Sequence, residues 1–202
     1  MARTIQCGGA GGDDTGLAHA AAEHLPEAVG VVDGRRVRSL FSGDTIIEQA
    51  FWGEQTLPYR WIELAGQIKA TDPDTPLYWL LISKGHRTYR YMPGFTYAYY
   101  PQSKSAAPDN IAQVMRVLGQ ARFGAAFDAT AGIVRPVELA TRLRPEFDGM
   151  DGTVRNRHAA FFAQANAGYA QGDELLCLCE LSAENLRPRA RAQFLKGMTH
   201  AA

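Results

Sequence analysis

The sequence predicts an α/β fold with α+β character, a mixed central sheet flanked by helices, and three observations carry that expectation. Asp33-Gly34 divides two β-prone runs, 28–32 and 36–41, and Asp-Gly between such runs is the favoured type I′ hairpin turn. Between 56 and 70 the apolar residues Leu57, Trp61, Leu64 and Ile68 recur at helical spacing. Residues 77–82, LYWLLI, are all apolar and lie between Pro76 and the turn Ser83-Lys84-Gly85, which reads as a strand buried on both faces.

In chain order, residues 1–16 (MARTIQCGGAGGDDTG) lack periodicity and are expected to form a flexible leader; residues 17–202 are expected to form one domain. Their glycines follow no strand and precede no Lys-Ser or Lys-Thr pair, so they make no phosphate loop. A short helix is expected at 17–25, then the hairpin, then a β-rich run at 45–52. For the helix over 56–70, Thr56 is the expected N-cap and Pro58 stands in the first turn, where a missing N–H is tolerated. It stops before Asp72-Pro73. Residues 45–82 therefore read as a β-α-β unit whose two strands run parallel. A helix over 109–119 capped by Asp109, a short strand in 132–137 and a helix over 156–167 follow. The strand ELLCLCEL at 174–181 precedes a last helix over 182–195, opened by Ser182 and Glu184-Asn185.

Composition narrows the function classes. With 202 residues and 46% of them hydrophobic, the chain can bury a core without metals or disulfides. Twenty-one basic residues balance 21 acidic ones, which argues against general nucleic-acid binding and polybasic membrane attachment. No apolar run reaches membrane length and no signal pattern opens the chain, so a cytoplasmic location is expected. Cys7, Cys177 and Cys179 lack ligand spacing, so they read as reduced thiols and no metal site is expected.

Chemistry concentrates after the apolar strand. Lys84, His86, Arg87 and Arg90 form a cationic group there, and five of the eight tyrosines fall in residues 86–101. Ligands in open α/β sheets bind beyond the C-terminal ends of strands. Arg87, with its fork of donors, suits a phosphate or carboxylate, and His86 titrates near neutrality. The tyrosines Tyr89, Tyr91 and Tyr97 also fit core or interface aromatics.

The order of elements, with the segments WLLISKGHRTYRYMP, ARFGAAFD-x-x-x-GIV and HAAFFAQANAGYAQGDEL, resembles the GNAT acyltransferase superfamily and a bacterial subgroup within it, over roughly residues 44–187. The resemblance implies a partly splayed sheet in which 44–52 is the central strand, 56–70 the cofactor-side helix, 77–83 the splayed strand and 174–181 the closing strand. It also implies an N-acyltransferase that moves an acyl group from a thioester to an amine of a small molecule. Acyl-CoA or a carrier-protein thioester would be co-substrate rather than a permanently bound cofactor. The family holds the pyrophosphate at the loop before that helix, which by match assigns Gln49, Trp52, Gly53 and Thr56, with Lys84 and Arg87, to donor binding. Bulky Phe51 and Trp52 and anionic Glu54 suit a carrier-bound phosphodiester better than free acetyl-CoA. The expected acid is Tyr91, with Tyr97 beside it; the expected base is Glu48 or His86; and the turn Asn166, Gly168 and Gly172-Asp173 borders the acceptor. The alternative is a protein of this fold that binds, or does different chemistry on, a small anionic or aromatic ligand. A homodimer and an acyl carrier protein are the expected protein partners.

Overall fold

The computed structural model describes residues 27–43, 56–135 and 156–200. Strands β1 (Glu27–Val32) and β2 (Arg35–Ser42) form the expected hairpin. Asp33 and Gly34 take φ of 50° and 75°, the left-handed pair that a type I′ turn requires and that Gly adopts without a Cβ clash. Helix α1 (Thr56–Thr71) then leads to β3 (Leu77–Ser83), which is buried along nearly its whole length. Two one-turn helices follow, α2 (His86–Tyr89) and α3 (Tyr91–Phe95). After them come α4 (Asp109–Phe123), the short strands β4 (Phe127–Asp128) and β5 (Ile133–Val134), and α5 (Arg157–Ala165). β6 (Glu174–Glu180) and α6 (Pro188–His200) complete the described chain.

The mixed α/β class holds: six described strands form one open, curled sheet in the order β1-β2-β3-β6-β5-β4. Four expectations are corrected. The parallel partner of β3 is β2, in register from Arg38 opposite Leu77 to Ser42 opposite Leu81. The hairpin's second arm thus opens the β-α-β unit, and residues 45–52, expected in that role, lie outside the described residues. β6 does not close the sheet but lies inside it, antiparallel to β3 on one side and to β5 on the other; its unbroken apolar run fits burial on both faces. The last helix begins at Pro188, because Ser182 and Asn185 are used in a turn: the Asn185 and Leu186 amides donate to the Ser182 carbonyl. Asp109 makes no cap bond and is instead the first residue of α4, where the helix dipole favours its charge. The helix expected at 17–25 also lies outside the described residues.

Strand alternation divides the core in two. Leu77, Trp79 and Leu81 face one cluster with Ile62, Ala65, Ala190 and Phe194 from α1 and α6. Tyr78 and Leu80 face the other, with Val114 and Leu118 of α4. α1 and α6 cross closely: a Cβ on Gly66 would stand 2.0 Å from the Phe194 carbonyl oxygen, and one on Gly197 1.8 Å from that of Glu63. Beside the crossing, the buried Glu63 carboxylate pairs with Lys196 at 2.9 Å and Arg60 at 3.2 Å. Arg38, 3% exposed, donates to the Ile68 carbonyl at 2.8 Å and the Thr71 hydroxyl at 2.9 Å, satisfying orphan acceptors at the end of α1. Among the described residues no helix is long and apolar enough to cross a membrane.

Candidate functional site

The tyrosine-rich chain after α3 continues the sheet without being one of its strands. Thr96 bridges Leu186, and Tyr100 bridges Leu178 with both backbone bonds at 2.8 Å. Residues 96–100 therefore cover the edge of β6 that β5 leaves open. Asn185 pins the segment: its Oδ1 accepts from the Ala98 amide at 2.7 Å and its Nδ2 donates to the Ala98 carbonyl at 2.9 Å. The odd-numbered and even-numbered side chains of this segment make different contacts. Tyr97 and Tyr99 project toward α5 and the arginines; Ala98 and Tyr100 project toward the α4 side.

On the odd side a polar chain runs inward from the surface. Asn156 caps α5 by accepting from the His158 amide at 3.0 Å, which fixes the position of that histidine. Arg157 Nε lies 3.3 Å from His158 Nε2, and a guanidinium can only donate, so Nε2 accepts and the ring proton resides on Nδ1. Nδ1 then donates to the Tyr99 hydroxyl, 3.4 Å away. Tyr99 in turn interacts with the Tyr89 hydroxyl, and fully buried Tyr89 donates to the Pro101 carbonyl at 2.9 Å.

The surrounding charge has one sign. Burial, then Arg157, Arg90 and Arg187, hold His158 below the ordinary histidine range. Burial raises the Tyr99 hydroxyl, although Arg157 and Arg187 oppose it. At neutral pH the pair is thus a neutral imidazole beside a phenol. Arg187 is anchored by its Nε to the Pro93 carbonyl at 2.8 Å and lies 4.9 Å over the exposed ring of Tyr97. Among the described residues none of Arg90, Arg157 and Arg187 forms an ion pair.

The residues expected from sequence are dispersed differently. Tyr91 is half-buried, its ring stacked on Phe95 at 5.8 Å, and burial raises its hydroxyl; it packs against the core rather than joining the His158 chain. Tyr97 stays at the site as an exposed ring under Arg187. His86, one of the two expected bases, is buried at the start of α2. Lys84 is held by Glu174 at 3.0 Å, tying the end of β3 to the start of β6, so its charge is compensated; Arg87 is exposed on α2. Thr56 opens α1. Glu48, Gln49, Trp52 and Gly53 lie outside the described residues. Asn166 donates through Nδ2 to the Asp173 carbonyl at 2.8 Å, so that turn joins α5 to β6.

Sequence reasoning missed Tyr99, Arg157, His158 and Arg187. The local signal was present in an Asn-Arg-His opening of an amphipathic helix, yet only the fold brings it to a tyrosine 59 positions away. No protein-family model matches this chain, and neither do the curated proteins or the solved structures with which it was compared.

Proposed function

We propose that the protein binds a small organic anion with a flat or aromatic body, held by Arg90, Arg157 and Arg187 with Tyr97 as a stacking surface. Beside them, His158 and Tyr99 form a hydrogen-bonded donor and acceptor pair. One observation carries this reading: three guanidiniums without ion-pair partners among the described residues surround one neutral imidazole. Uncompensated like charges repel, and an anion relieves that repulsion while accepting charge-assisted hydrogen bonds of about 1.5–3 kcal/mol each. The test is a thermal-shift titration with phenyl phosphate, benzoate and sulfate, repeated on Arg157→Ala/Arg187→Ala. Stabilisation that grows with phenyl phosphate concentration, and weakens at least about tenfold in the variant, supports the site. Absence of stabilisation by any of the three anions, or equal response of the variant, sinks it.

A second reading is acyl transfer from a thioester, acyl-CoA or carrier-bound, to an amine of a small molecule. It is favoured by the Tyr99 hydroxyl, which burial keeps protonated, as an acid for a departing thiolate must be. Here Tyr99 takes the role that the resemblance gave to Tyr91. Titration with CoA, acetyl-CoA and long-chain acyl-CoA separates the readings, since the second requires a response to a thioester beyond that to free phosphate.

A further inference from the structure

The even side of residues 96–100 opens on a cavity of about 310 Å³ at the end of the sheet where β3 begins and β6 finishes. Tyr78 stands opposite Glu180 across β3 and β6, Tyr100 bridges Leu178, and beyond them the Asn185 Nδ2 donates to the carbonyls of both Glu180 and Ala98. Ala98 lines the cavity with a side chain of one carbon. Tyr100, Ile111 of α4 and Glu184 also line it.

The chemistry of this lining is the reverse of that on the odd side. Two exposed carboxylates and two tyrosines meet there, and no lysine, arginine or histidine lines the cavity among the described residues. Neither Glu180 nor Glu184 forms an ion pair among them. Lys69, whose charge reaches Glu180, is anchored at 2.7 Å to the Thr75 carbonyl. The volume suits a small molecule rather than a bare metal ion, and aromatic walls beside carboxylates favour an ammonium on an organic body over a hydrated inorganic cation.

We infer that this cavity is a second binding site, specific for a small organic cation, whose ammonium lies between Glu180 and Glu184 and whose body rests on Tyr78 and Tyr100 beside the small side chain of Ala98.

Benzylammonium, benzyl alcohol and benzoate, similar in body and different in charge, probe the site on the full chain by amide NMR titration. Benzylammonium is expected to shift the amides around Ala98 saturably and to bind at least about tenfold more tightly than benzyl alcohol. Ala98→Phe places a ring in the lining while keeping the backbone bonds to Asn185, and Glu180→Gln/Glu184→Gln removes the charge at exposed positions. Each is expected to abolish that binding, with phenyl phosphate still bound at the arginines. Equal affinity for the alcohol, or undiminished benzylammonium binding in either variant, overturns the proposal. If Ala98→Phe melts early, the double glutamine variant alone decides.

Discussion

Burial and the charges of Arg157, Arg90 and Arg187 depress His158, and this has a sign that can be measured. A histidine with a lowered folded pKa binds fewer protons folded than unfolded, between that pKa and the ordinary value of about 6.5. Stability at this residue is therefore complete above pH 6.5 and is lost as pH falls from there through the folded value. Removing one cation reduces the depression. In Arg157→Ala the His158 ring, followed by ¹H–¹⁵N NMR, is expected to titrate at higher pH than in the parent, and saturating phenyl phosphate is expected to raise the parent's value in the same direction. A titration unchanged by both would show that the arginines do not act on the ring. At this scale the sequence shows residue types well: the cationic, tyrosine-dense character of 84–101 is plain. It does not show which tyrosine is functional, because Tyr91 and Tyr99 differ only in what the fold places against them.

Elements were legible where a local signal was not contested by tertiary use. Asp33-Gly34 forms its hairpin, and α1 ends at Thr71, just before the Asp72-Pro73 stop. Helix α5 starts behind its Asn156 cap. Where the signal misled, a side chain was needed elsewhere: Ser182 and Asn185 look like helix openers, yet Asn185 is bound to Ala98, so α6 begins six residues later, at Pro188. The crossing of α1 on α6 is likewise invisible locally, because Gly66 and Gly197 resemble ordinary helix-weakening glycines. The close approach of the two backbones makes them necessary. Gly66→Ala and Gly197→Ala are each expected to cost about 2–3 kcal/mol by forcing the helices apart, despite the better helix propensity of alanine. Urea denaturation checks this, and a stability gain in either variant would contradict the crossing. The double variant is expected to cost less than the sum, since one displacement relieves both clashes.

At the scale of the molecule, β3 and β6 form the centre of a sheet covered on both faces, and the thiols record this. Cys177 and Cys179 are free and buried, and burial raises both well above the ordinary thiol range, where little thiolate exists to react. Iodoacetamide followed by peptide mass mapping is expected to leave both unmodified in the native state and to label both in denaturant, with the labelling rate reporting opening of the core. Rapid native labelling of either would place β6 nearer the surface than its pairing requires. The same map resolves Cys7 as a separate peptide.

The sequence by itself determined the mixed α/β class, the hairpin, α1, the buried β3 and the apolar β6. These rest on periodicity, turn chemistry and composition, which act between near neighbours. Only the tertiary structure decided that β2, not 45–52, is the parallel partner of β3, and that β6 lies inside the sheet. It alone also set residues 96–100 along the open edge of β6, sending Tyr99 to His158 and the arginines and Tyr100 to Glu180 and Glu184. Pairing register and side-chain convergence depend on contacts between residues tens of positions apart. Such contacts form through the summed burial of the whole chain rather than through any local pattern.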